Sequence, residues 1–182
     1  MLELSLHILD IVENSTRAGA KSVYITLVED RAVDILSLEI RDDGAGMTED
    51  MLKKVIDPFF TTKTVRKVGL GLPMLAQAAE RAGGKFTMEA KNGEGVRVAA
   101  EFRLSHIDRQ PLGDIASSLV TLIAGNTDVD FIYRHRHNEG EFILDTREVR
   151  KEIEGVPINA MDVLHLMREH IQEGLKEISS EA

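Results

Sequence analysis

Apolar residues recur at helical spacing from the first positions of the chain. Leu6, Ile8, Leu9 and Val12 mark one stripe of a first helix, and Gly19 predicts its end, because glycine takes the left-handed cap conformation at little cost. Two alternating runs follow. SVYITLVED from Ser22 and VDILSLEIRDD from Val33 predict strands joined by a polar turn at Asp30 and Arg31. Thr48 then serves as a cap for a short helix through Val55. The stretch GLPMLAQAAERAGG predicts a further helix, with Pro73 in its first turn and Gly83 and Gly84 at its end. Lys85 to Ala90 and Gly95 to Leu104, parted by Asn92 and Gly93, predict another strand pair. Beyond Ser105 the pattern predicts a helix from Leu112 to Ala124 and a hairpin from Asp130 to Asp145 that turns at Asn138 to Gly140. Helices follow Thr146, the last an amphipathic one from Asn159 to Ile178.

Composition narrows what such elements can do. The 182 residues, 43% of them apolar, suffice for one substantial core or for a core with a smaller appendage. Cysteine is absent, which excludes disulfides, thiolate metal sites and thiol nucleophiles and fits a reducing, cytoplasmic setting. No run approaches the roughly 20 apolar residues of a membrane span, and MLELSLHILD lacks the pattern of a signal peptide. A formal charge of -9 repels a phosphate backbone, so general nucleic-acid binding is not expected. A nucleotide site remains compatible, since it needs only local backbone donors, a metal and one or two basic groups.

Four segments carry candidate chemistry. Asp10 and Asn14 are four residues apart and share a helix face beside Glu13 and Arg17. An amide oxygen is a hard, neutral ligand suited to magnesium, and a carboxylate one turn earlier can orient or deprotonate a nucleophile. The second segment is DDGAGM, spanning Asp42, Gly44, Gly46 and Met47, where the glycines permit a sharp turn and Asp42 can accept from an exocyclic amine. It does not match an EF-hand loop. The third is GLGL, spanning Gly69, Leu70, Gly71 and Leu72, whose free helix amides attract phosphate. It matches neither a Walker loop, for want of a following Gly-Lys-Ser/Thr, nor the dinucleotide fingerprint, because Met74 stands at the third glycine. The fourth is the loop DPFFTTKTVRKV, in which Lys63 and two further cations can close over phosphates while Phe59 or Phe60 anchors its base. Standing alone, each piece is also an ordinary wet helix face, turn or surface loop.

Their order is far more specific than any one of them. A helix with D-x-x-x-N, a strand ending in DxGxG, an FF-rich loop, a GLGL helix and a strand pair resemble, over Leu6 to Leu104, the GHKL ATPase superfamily of histidine kinases, gyrase, MutL and heat-shock chaperones. The resemblance implies an α/β fold, a two-layer Bergerat-type sandwich whose mixed sheet is covered on one face by helices, with ATP and Mg2+ as ligands. It further implies Asn14 as the magnesium ligand, Asp42 as the adenine acceptor, and Gly44 with Gly46 and Gly69 with Gly71 as the two glycine boxes. DPFFTTK with GLGL is most similar to sensor histidine kinases, and Arg17 stands where those kinases carry a basic residue. VENSTRAGA is similar to MutL, and Asp10 stands where ATPases and anti-sigma-factor kinases place a glutamate base.

Three positions depart from that pattern. Lys67 and Val68 replace a Gly and a Thr before GLGL, and Val96 replaces a threonine that supports the adenine-binding water. Asp10 is one methylene shorter than glutamate, about 1.5 Å of reach, where misplacement of about 1 Å can cost 100-fold. His7 lies inside the nucleotide helix and is expected to pack or to face solvent, not to accept a phosphoryl group. His135 and His137 alternate onto one strand face with His165 and His170 elsewhere, and the flanking Arg134 and Arg136 favour an exposed interaction strand over a metal site.

The resulting expectation is an ATP-binding core at 1–104 and a C-terminal α-β-β-α extension at 105–182 that packs on the core or forms a partner surface. The domain would act as a stand-alone protein kinase or ATP-dependent regulator of a separate partner protein, with Asp10 catalytic and Arg17 and Lys63 neutralising the triphosphate. The alternatives are a module that binds ATP without turnover, and an ATP-driven homodimeric clamp of the MutL or gyrase type.

Overall fold

The computed structural model describes residues 2–56 and 71–180. Its first helix, α1 (Leu4–Arg17), leads into β1 (Ser22–Asp30) and β2 (Ile35–Asp42), then α2 (Glu49–Ile56), α3 (Gly71–Arg81), β3 (Lys85–Lys91) and β4 (Gly95–Arg103). The chain continues as α4 (Ile115–Gly125), β5 (Asp130–His137), β6 (Gly140–Asp145), α5 (Thr146–Glu152) and α6 (Met161–Glu177). The predicted loop from Asp57 to Val68, with Phe59 and Lys63, lies outside the described residues, as do Gly69 and Leu70.

Six strands form one mixed sheet in the order β3-β4-β2-β1-β5-β6. The β1–β5 pair is parallel and the other four pairs are antiparallel. Alternation along each strand assigns its two faces. Val23, Ile25 and Leu27 of β1 are buried together with Leu38 and Ile40 of β2, Val98, Ala100 and Phe102 of β4, and Phe131 and Tyr133 of β5. Among the described residues the opposite face stays open. Tyr24, Arg41, Arg134 and Arg136 project there into solvent. The described helices cover the apolar face, so the expected two-layer sandwich is the architecture observed.

The stripe of α1 differs from the predicted one. Its buried side is Leu4, Ile8, Ile11, Val12 and Ser15, whereas Leu6 is 41% exposed. Leu6 follows Leu4 by two residues, about 200° around a helix of 3.6 residues per turn, and so faces away from the sheet. This rotation places Asp10 against the start of α3, which matters for the site.

Residues 105–180 extend the same sheet. β5 lies along the whole of β1, pairing Val23 with Phe131, Ile25 with Tyr133 and Leu27 with His135. In front of it, α4 packs on α1 and on α6. Parity along β5 overturns the reading of its histidines. Phe131 and Tyr133 fix the inward face, so His135 and His137 point inward two and four residues on and are 0% and 5% exposed, and only the arginines between them face out. The buried rings are bonded. Glu29 Oε1 accepts from His135 Nε2 at 2.7 Å, which leaves Nδ1 to accept from the Tyr133 hydroxyl at 2.6 Å, and His137 Nδ1 donates to the Ile178 carbonyl at 2.9 Å. Among the described residues no group of histidine and carboxylate side chains is arranged to hold a metal, and no helix is long and apolar enough to cross a membrane.

Candidate nucleotide site

Asp42 closes β2 and is 6% exposed. Its Oδ2 accepts from Ser15 Oγ of α1 at 2.6 Å, and its Oδ1 accepts from the Gly44 amide at 2.9 Å and the Val96 amide at 3.3 Å. A buried carboxylate with three donors is fixed in orientation. The next residue fastens the turn to the α1–β1 junction. Asp43 Oδ1 accepts from the Lys21 and Ser22 amides at 2.7 and 2.9 Å. Partial burial pushes this carboxyl up, but those amide hydrogen bonds outweigh it and hold the group below the usual carboxylate range. At Gly46 the backbone takes φ 66°, and a side chain there would collide with the Lys91 carbonyl, so the turn is open to glycine alone. Met47 is half-buried against the core.

The second half of the site lies between α1 and α3. Gly71 starts α3, and a Cβ added there would overlap the Asp10 carboxylate. The helix start and Asp10 are therefore in direct contact, and the first-turn amides of α3 have no intrahelical acceptor. Asp10 Oδ2 and Asn14 Nδ2 are both buried without a hydrogen-bond partner among the described residues. Unpaired buried polar atoms each cost about 1–3 kcal/mol, an expense that a ligand-facing cluster carries and a plain core does not. Leu72, by contrast, is 4% exposed and serves the core. Arg17 sits one turn beyond Asn14 with its side chain in solvent, bonded to Glu13 at 3.0 Å.

One residue between the halves was not singled out from sequence. Ser15 follows Asn14 directly and donates to Asp42, so the turn of α1 that carries Asn14 also grips the β2 carboxylate. A small polar residue recurring on the apolar stripe at positions 8, 11, 12 and 15 was the available signal. His7, one turn before Asp10, is fully buried and donates from Nε2 to Gln110 Oε1 at 2.9 Å. Burial pushes the imidazole below the ordinary histidine range, against the opposing effects of the Gln110 bond, the nearby Gly71 backbone and the Asp10 charge.

With this geometry in view, the relatives decide the family. The model of the histidine kinase-, DNA gyrase B-, and HSP90-like ATPases matches residues 2–106. The chain belongs to this family. Sensor kinase CckA of Brucella abortus (strain 2308) is 40% identical over 78 residues, which are 42% of this chain and 8% of that kinase. Sensor protein DegM of Bacillus sp. (strain B21-2) is 31% identical over 91 residues, 50% of this chain and 24% of DegM. The chain thus spans a quarter or less of these GHKL relatives. Among solved structures, the Aquifex aeolicus MutL ATPase domain complexed with ADP superimposes with a TM-score of 0.56 at 14% identity, over 85% of this chain and 68% of that one. A likeness at that identity establishes the fold, and it extends well past residue 106.

Proposed function

We propose that the domain binds Mg-ATP between the β2 turn and the α1–α3 contact, and that it acts in the cytoplasm as a protein kinase or ATP-dependent regulator of a separate protein. The observation that carries this reading is the pair of buried side-chain atoms on Asp10 and Asn14 that have no hydrogen-bond partner among the described residues, with Asp10 lying against the start of α3. The residues present fit the ligand. Asp42, held by Ser15, is an acceptor for an exocyclic amine; the Asn14 amide supplies a hard oxygen for magnesium; and the α3 amides are donors for phosphate. Bound Mg-ATP supplies an electrophilic terminal phosphoryl group. Asp10 then orients the attacking hydroxyl or water, while Arg17 and Lys63 offset the triphosphate charge. Residues 1–104 carry this chemistry, and 105–182 offer the surface that a partner reads.

A second reading, in which ATP is bound and not turned over, is favoured by the short reach of Asp10. Radiolabelled ATP separates the two. Asn14→Ala and Asp42→Asn are each expected to weaken Mg-ATP binding about tenfold or more, equivalent to about 1.4 kcal/mol. Asp10→Asn is expected to keep binding and lose hydrolysis or transfer. A wild type that is not stabilised by Mg-ATP in thermal unfolding would sink the proposal, and one that binds ATP but neither hydrolyses nor transfers it with co-purifying proteins would leave the binding module as the answer.

A further inference from the structure

His7, Asp10 and Asn14 are spaced i, i+3 and i+7, and so lie along one face of α1. That face meets the start of α3. Asp10 abuts Gly71, and the Gly71 backbone lies beside the His7 ring. A histidine without solvent contact at this position is not needed for packing, since leucine fills a similar volume without buried nitrogens to satisfy. The ring is braced from the other side. His7 donates to Gln110, and the segment holding Gln110 is tied to α1 by the Leu4 and Ser5 amides, which donate to the Pro111 and Leu112 carbonyls at 3.0 and 2.9 Å. Among the described residues His7 Nδ1 has no hydrogen-bond partner, although it is buried.

From this wedge between a fixed segment and the first turn of α3, we infer that His7 is a positioning residue. It holds Gly71 and the free amides of α3 in register with Asp10, and thereby sets the preference of the site for ATP over ADP. The inference rests on the Mg-ATP reading above and adds a residue to it. Its reach is confined to one end of the site. Asp42 is anchored through Ser15, two turns farther along α1 and on different partners, so adenine recognition does not pass through His7. On the Mg-ATP reading, a shift at the start of α3 bears on the phosphate end of the site and leaves the Asp42 end in place.

The test is equilibrium binding of Mg-ATP and Mg-ADP to the whole chain, with the ratio of the two affinities as the readout. His7→Leu is expected to lower the ATP/ADP affinity ratio about tenfold, given the cost of misplacing site groups by about 1 Å, while ADP affinity stays within about twofold. His7→Gln keeps an N–H donor toward Gln110 and should retain most of the wild-type ratio. Gln110→Met, which removes the acceptor from a half-buried position, should lower it in the same direction. It also decides the matter if His7→Leu does not fold. A purely structural role would weaken both nucleotides together, and that outcome, or equal ratios in all proteins, overturns the inference. Wild type that binds neither nucleotide defeats the Mg-ATP reading as well, whereas wild type that binds both with ratios untouched by either substitution defeats only the role of His7.

Discussion

A methyl group added at Gly71 would occupy space held by the Asp10 carboxylate. Gly71→Ala is therefore expected to keep the fold, since the overlap is with a side chain that can shift and not with backbone, yet to displace Asp10 and cut turnover about 100-fold. Thermal unfolding beside an ATP turnover assay checks both halves. At the other end of the site, Ser15→Ala would leave Asp42 Oδ2 buried without its donor. A loss of about 1–3 kcal/mol in urea unfolding and weaker nucleotide binding are expected. Individual residues were unevenly legible. Asp42, Gly46 and Gly71 could be found because strand ends and helix starts constrain them through backbone geometry that local sequence encodes. The partners of Ser15 and His7 could not, because they are Asp42, 27 residues away, and Gln110, 103 residues away, so a polar residue on the apolar stripe marked Ser15 without saying what it holds.

Helices and strands were legible wherever parity or periodicity stood free of competing signals. β1, β4 and α3 lie close to their predicted spans, because apolar alternation and the flanking glycines point the same way. Periodicity identified α1 as a helix but misjudged its rotation, since leucines are present on both sides of it. The residues of β5 mark a strand but not its inward face, since the buried polar groups need partners from elsewhere to be tolerable. Those partners also hold α6 in place. Its end meets the sheet where Ser180 Oγ donates to Glu29 at 2.7 Å and the Ile178 carbonyl accepts from His137, and Gly174 lies against Phe142 with no room for a side chain. Burial raises the Glu29 carboxyl, but hydrogen bonds from His135 and Ser180 and the nearby histidines outweigh it, so the folded group titrates below its ordinary value. A depressed carboxylate contributes stability that is complete above the unfolded pKa, about 4.3, and is lost as pH falls through the folded one. Thermal melts from pH 7 down to pH 3 should show this loss, and Glu29→Gln should flatten the profile while costing at least about 1 kcal/mol at pH 7.

At the scale of the molecule, the continuous sheet governs what can be removed. Cutting the chain after Leu104 strips β5 from β1 and α4 from α1, exposing the backbone edge of a central strand and apolar side chains of the first helix. Such a fragment is expected to aggregate or to unfold at markedly lower temperature than the whole, as light scattering and calorimetry would register. The resemblance to GHKL ATPases implied a sandwich, but the side of the sheet to which the later strands attach depends on a pairing between residues about 110 apart, which no local pattern specifies. The parallel β1–β5 contact also has a temporal side. During translation β1 leaves the ribosome about 100 residues ahead of β5, so at about 5–20 residues per second its outer edge waits on the order of 5–20 s for the strand that closes it.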